Sequence, residues 1–204
     1  QPFDLYAGGV YAGRCAIANP GAHNVRNAVA AIAAAAEGFG VSIVAARSAL
    51  ATFAGVRRRQ DLIGEPNGIR VYDDFAHHPT AVDETLRALK AKHPSGSLWA
   101  VFEPRSATAC RNLHQDAYAK AFSAANHVIF APLGRANLAP EERLDLAKLA
   151  REIGTGAEAA PSVDAILERL TREARPGDTI ALLSNGAFAG LHKRLLEALS
   201  SPRS

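Results

Sequence analysis

The chain has 204 residues, 48% hydrophobic and 21% charged, a balance that excludes a disordered or fibrous protein. Its net charge of +3 carries no long basic stripe and aromatics reach only 6%, so no nucleic-acid partner is expected. The longest apolar run, 28–36, is alanine-rich and too short to span a bilayer, so no membrane partner is expected either.

Residues 1 to about 18 read as strand and turn, from the alternation in Val10-Tyr11-Ala12-Gly13-Arg14-Cys15-Ala16-Ile17. Asn19-Pro20-Gly21 breaks the chain. A helix is predicted over 23–37, with Val25, Val29, Ile32 and Ala36 on one face and Gly38 and Gly40 ending it. Asn24 suits an N-terminal cap there. Ser42 caps a second helix to about residue 53, and Gly55 stops it. These first 55 residues show little sign of a complete core.

After Arg59 strands and helices alternate. Strands are predicted over 69–72, Leu98–Phe102, His127–Phe130 and Thr179–Leu183, the apolar ones suited to burial on both faces. Helices are predicted over Pro79–Lys92, 113–124, 141–153, 162–175 and 188–199. The alternation predicts an α/β fold over 56–204, a Rossmann-like, doubly wound and mainly parallel sheet, with a mostly helical segment before it. Cys15 and Cys110 lie far apart without metal-like spacing, so no disulfide framework or bound metal is expected and a reducing, cytoplasmic setting is. The sequence has no methionine and starts at Gln1, so either its start is processed or it is a piece of something longer.

Ligands of open α/β sheets bind beyond the carboxyl ends of the strands, which gives weight to four runs. These are Asp73-Asp74-Phe75-Ala76-His77-His78-Pro79-Thr80, Glu103-Pro104-Arg105-Ser106, Ala131-Pro132-Leu133-Gly134-Arg135 and Ser184-Asn185-Gly186. Arg105 offers a planar fork to a carboxylate. Ser184-Asn185-Gly186 precedes a helix, whose first amides can hold an anion, and Gly186 permits close backbone approach. The two Asp and two His match no zinc signature. Capping by an Asp explains one of the four and leaves the others to ligand binding. In Arg57-Arg58-Arg59, a solvated turn and a phosphate contact are equally compatible with the chemistry. No G-x-G-x-x-G follows the first clear strand of the α/β part, which argues against a nicotinamide-dependent oxidoreductase. A non-catalytic module for anionic peptides is the remaining alternative.

Three runs, Gly21-Ala22-His23-Asn24-Val25-Arg26-Asn27-Ala28, then Phe53-Ala54-Gly55-Val56-Arg57-Arg58-Arg59, then Asp73 to Thr80, resemble the Mur ligases in order and spacing. Within that family, the runs Phe102-Glu103-Pro104-Arg105-Ser106 and Leu183-Ser184-Asn185-Gly186-Ala187-Phe188-Ala189-Gly190-Leu191-His192 are most similar to one branch. That branch joins a murein tripeptide to UDP-N-acetylmuramate in cell-wall recycling. The branch that adds L-alanine shares the Asp-Asp to Pro-Thr run but usually differs where Glu103 to Ser106 stand.

The resemblance implies an ATP-dependent, amide-forming ligase of three domains that works through an acyl phosphate. It implies that 1–55 is the tail of the central ATP-binding domain and 56–204 the C-terminal domain. The sequence contains no P-loop, so the chain by itself is expected to be inactive, with its magnesium ligands and its partner domains elsewhere in the same polypeptide. ATP and magnesium are the implied cofactors. UDP-N-acetylmuramate and L-alanyl-γ-D-glutamyl-meso-diaminopimelate are the implied substrates. By the same resemblance Asn24 and Asn27 contact adenine, Arg59 the phosphates and Asp74 the ribose. His77 and His78 lie where amine and nucleotide meet, His77 being the candidate catalytic group. Ser184, Asn185 and Gly186 hold the carboxyl-bearing substrate, with Arg105 and Ser106 beside them.

Overall fold

The computed structural model describes residues 1–134 and 137–201, so the predicted strand-end residue Arg135 lies outside the described residues. The chain divides into two compact units, Gln1–Val56 and Arg57–Ser204.

In the first unit, β1 (Pro2–Ala7) and β2 (Val10–Ala16) form an antiparallel hairpin. Gly8 and Gly9 turn it with φ of 56° and 81°, a region that costs glycine little. Helices α1 (Ala22–Ala33) and α2 (Ile43–Ala51) follow, joined through a π-helical turn. Leu5, Cys15 and Ile32 form a small core with Phe3, Ile43 and Leu50 packed against it. Arg47 ties α2 to the hairpin, donating at 2.7 Å to the carbonyls of Ala12 and Arg14 across Gly13. Ser42 caps α2 as expected, accepting from the Ala45 amide at 3.2 Å. Two expectations fail. Gly21, not Asn24, is the N-cap of α1; Asn24 lies inside the helix and donates back to the Pro20 carbonyl. The buried face of α1 runs through Ala28 and Ile32, whereas Val29 is 38% exposed.

In the second unit, the described residues form a six-stranded sheet in the order β3-β4-β8-β5-β6-β7. The strands are β3 (Asp61–Gly64), β4 (Arg70–Asp74), β5 (Leu98–Phe102), β6 (His127–Phe130), β7 (Ala157–Ala159) and β8 (Thr179–Leu183). All neighbours pair in parallel except β3, which runs antiparallel on the edge beside β4. Helices α3 (Pro79–Lys92), α4 (Gln115–Ala121) and α5 (Leu146–Ile153) cover one face, over Tyr72, Ala100, Phe102, Phe130 and Leu183. Helices α6 (Val163–Glu173) and α7 (Leu191–Ser200) cover the other, over Val71, Val101, Ile129, Ile180 and Leu182. The fold is the doubly wound α/β arrangement that strand–helix alternation predicts.

The predicted helix over 141–153 splits. Pro140–Glu142 is a short 3-10 turn, and α5 begins only after Asp145, whose carboxylate accepts from the Lys148 amide at 2.8 Å. Among the described residues no helix is long and apolar enough to cross a membrane.

Candidate functional site

Parallel pairing brings the carboxyl ends of β4, β8, β5 and β6 to one edge of the second unit, and the polar runs collect there. A tight turn ahead of β3 closes one side. Arg58 and Gln60 take positive φ of 60° and 49° in it, uncommon for side-chain-bearing residues. Two bonds hold the turn to the end of β4 and one holds it to β3. The Phe75 amide donates to the Arg58 carbonyl at 2.8 Å. The Gln60 amide donates to Asp74 Oδ2 at 2.7 Å, and the Arg58 amide to Asp61 Oδ2 at 3.3 Å. Asp74 Oδ1 accepts from the Ala76 amide at 2.7 Å. Asp74 is 2% exposed, so its carboxylate is a strut between the turn and the His-His loop. A ribose contact at Asp74 would have to reach a carboxylate already engaged on both oxygens.

Arg58 is the arginine of the basic turn that points inward. Its Nη2 donates at 2.7 Å to the carbonyls of Ser184 and Gly186, and Nε donates to Asp73 Oδ2 at 3.1 Å. Arg59 is exposed and lies over the Phe75 ring, 5.4 Å from its centre. His192 of α7 brings Nε2 to 3.1 Å from Asp73 Oδ1. At this distance neither atom has a well-directed hydrogen-bond partner. Burial pushes the Asp73 carboxyl up, but His192 and Arg58 outweigh it and hold it below the ordinary aspartate value.

A group depressed in the folded state stabilises the fold above its unfolded pKa, and that stability is lost as pH falls through the folded value. Asp73→Asn should therefore lower the urea midpoint at neutral pH and converge with the parent only as pH falls through the depressed folded value of Asp73, where the parent carboxyl also becomes neutral. Urea titrations across that range check this; parallel curves at every pH would contradict the charge coupling.

On the other side, Glu103 directly follows β5, buried, with its amide donating to the Leu183 carbonyl at 2.9 Å. Ser184 Oγ donates to Glu103 Oε2 and accepts from the Gly186 amide at 2.9 Å. Ser184 is 0% exposed, and its hydroxyl braces the loop from inside. Arg105 Nη1 lies 3.6 Å from Glu103 Oε1, and the Arg105 side chain is 49% exposed. Ser106 Oγ accepts from the Ala109 amide at 3.0 Å and shapes the turn after Arg105. Asn185 is half-buried with its Oδ1 unpartnered among the described residues.

His77 is half-buried, with Nδ1 3.0 Å from the Phe75 carbonyl. Its own carbonyl accepts from the Tyr118 hydroxyl at 2.5 Å, and burial pushes that phenol up. His78 is the N-cap of α3, accepting weakly from the Thr80 amide at 3.4 Å, and its exposed ring stands edge-on to His114 at 4.8 Å. Capping thus falls to His78 and not to Asp73 or Asp74.

The structure gathers Arg59, Asp74, His77, His78, Arg105, Ser106, Ser184, Asn185 and Gly186 on the second unit. Asn24 and Asn27 belong to the first, Asn27 exposed on α1. Sequence reasoning gave no individual role to Arg58, Glu103 or His192. A lone acid closing the apolar strand Leu98–Phe102 was the available signal for Glu103.

Residues 58–186, more than half of the chain, match the family model described as Mur ligase, glutamate ligase domain. The UDP-N-acetylmuramate–L-alanyl-γ-D-glutamyl-meso-2,6-diaminoheptandioate ligase of Escherichia coli K12 is 39% identical over 88% of this chain and 38% of its own length. A UDP-N-acetylmuramate–L-alanine ligase of Salinibacter ruber is 34% identical over 98% of this chain and 42% of its own. The crystal structure of a murein peptide ligase from Psychrobacter arcticus 273-4 superposes with a TM-score of 0.71 at 38% identity, covering 100% of this chain and 42% of that one. The chain thus spans about two fifths of the length of the relatives it matches. With the strand-end runs brought to one edge of a doubly wound sheet and this family model covering them, the chain belongs to the Mur ligase family.

Proposed function

We propose that the chain is the substrate-bearing end of an ATP-dependent ligase that joins L-alanyl-γ-D-glutamyl-meso-diaminopimelate to UDP-N-acetylmuramate in the cytoplasm. The observation that carries this reading is the 39% identity, over 88% of the chain, to the Escherichia coli ligase whose name states that chemistry. On this reading 1–55 is the tail of a central ATP-binding domain and 56–204 the peptide-binding domain.

ATP, when bound, would transfer its terminal phosphoryl group to the muramyl carboxylate and leave as ADP, and attack of the peptide amine on the acyl carbon would form the amide and release phosphate. The residues present fit a nucleotide in charge: Arg59 offers an exposed cation to the phosphates, and Asp73 and Asp74 offer carboxylates to the ribose. With Asp74 so deeply engaged, Asp73 is the more accessible of the two. Asn24 and Asn27 are proposed to read adenine from the first unit. On the same reading magnesium takes its ligands from the remainder of the ligase. If His77 donates Nδ1–H to the Phe75 carbonyl, Nε2 carries the lone pair and can take the proton of the attacking amine. Arg105, with Asn185 nearby in the sheet-end cluster, is proposed to bind a peptide carboxylate.

An ADP-release assay on the complete enzyme tests this, with UDP-N-acetylmuramate and either tripeptide or L-alanine. Turnover with tripeptide is expected; turnover with L-alanine alone would assign the chain to the other branch. The 204-residue chain alone should show none. Arg105→Ala should raise KM for the tripeptide at least about tenfold, the worth of a bond to a charged group. A change confined to KM for ATP would remove Arg105 from the peptide side.

A further inference from the structure

We propose that Glu103 is a positioning residue, a buried carboxylate that aims Arg105 at the substrate, with Gly134 and Gly186 forming the slot in which the Arg105 stem lies. This rests on the reading that Arg105 binds a peptide carboxylate.

The geometry is fixed from below. The Glu103 backbone is bonded into the sheet through Leu183, and Oε2 is engaged by Ser184, a fully buried hydroxyl that also accepts from Gly186. That leaves Oε1 facing Arg105 Nη1 at 3.6 Å. The loop carrying Arg105 is pinned at its base, since the Pro104 carbonyl accepts from the Gly134 amide at 2.8 Å and from Cys110 Sγ at 3.0 Å. The stem then runs between two glycines. A methyl group at Gly186 would come within 2.2 Å of Arg105 Cδ, and one at Gly134 within 2.9 Å of Cγ. Neither glycine has the left-handed backbone that would by itself require glycine, so the room for Arg105 is what their bare Cα atoms provide. A half-exposed arginine otherwise samples many rotamers, and fixing it beforehand reduces the ordering cost of binding. At Gly186 the bare Cα is approached closely by Arg105.

The test is a double-mutant cycle in the complete enzyme. Glu103→Gln and Gly186→Ala should each raise KM for the tripeptide about fivefold or more, with KM for ATP unmoved, and neither should add to Arg105→Ala. Additive effects, or a lowered melting temperature with KM for the tripeptide unchanged, would overturn the proposal and leave Glu103 a structural brace. If Glu103→Gln fails to fold, the Gly186→Ala cycle decides alone, because the three atoms nearest to that methyl all belong to Arg105 and Glu103 stays in place. If Arg105→Ala itself leaves KM for the tripeptide unmoved, the substrate-side reading of Arg105 falls first, a result distinguishable from failure of the positioning role.

Discussion

Asp74→Ala is expected to destabilise the second unit by about 3–5 kcal/mol, because it leaves two buried amides without acceptors. Gln60 and Ala76 each donate to this carboxylate at 2.7 Å, and the side chain is nearly inaccessible to replacement water. Asp74→Asn keeps one acceptor oxygen and should fall between the two. Urea unfolding followed by Trp99, the chain's one tryptophan and a buried residue of β5, reports on this unit. An Asp74→Ala midpoint equal to the parent's would show that the strut carries no weight. The same pair of variants separates two roles. If Asp74→Asn folds and leaves KM for ATP unchanged while Asp73→Asn raises it, the ribose contact belongs to Asp73.

Arg58→Lys should be nearly as damaging as Arg58→Ala, with a loss of about 2–4 kcal/mol for each. The guanidinium bridges three acceptors at once, the carbonyls of Ser184 and Gly186 and the Asp73 carboxylate. A lysine ammonium is a point charge and reproduces no such fork. The loop after β8 should loosen first. Hydrogen exchange at the Gly186 amide, which donates to Ser184 Oγ, should then accelerate ahead of the β8 amides. Exchange at Gly186 unchanged in Arg58→Lys would mean that the loop holds itself.

The difference between Arg58 and Arg59 shows where sequence reasoning stops. Three adjacent arginines are chemically identical in a string. What separates them is a backbone turn with positive φ at Arg58 and Gln60, which sends one guanidinium to the Ser184 and Gly186 carbonyls and leaves the next exposed, although both lie 5.4 Å from the centre of the Phe75 ring. No glycine or asparagine marks those positions. The same holds for Asp73 and Asp74, which alternate to opposite faces of β4 and so acquire different partners. The central strands were legible because burial on both faces demands continuous apolar runs, as in Leu98–Phe102 and Thr179–Leu183. The outer strands β3 and β7 were not, since a four-residue run with Asp61 and a three-residue run with Glu158 carry no such requirement at an edge. Legibility of the site followed the same line. The loops were named because they follow readable strands, whereas the bond from Ser184 to Glu103 was not legible, since the two lie far apart in sequence.

The strand order has a bearing on how the polypeptide reaches this state. β8 is the last strand made, yet it lies between β4 and β5, pairing Arg70 with Thr179 on one side and Leu98 with Thr179 on the other. Until the chain is synthesised past Leu183, β4 and β5 each present an open edge with no neighbour between them. The sheet therefore closes by insertion, late and over long loops, which slows folding and exposes strand edges meanwhile. A ribosome stalled before β8 would hold two half-sheets, β3 with β4 and β5 with β6 and β7, without the strand that joins their carboxyl-end loops into one edge.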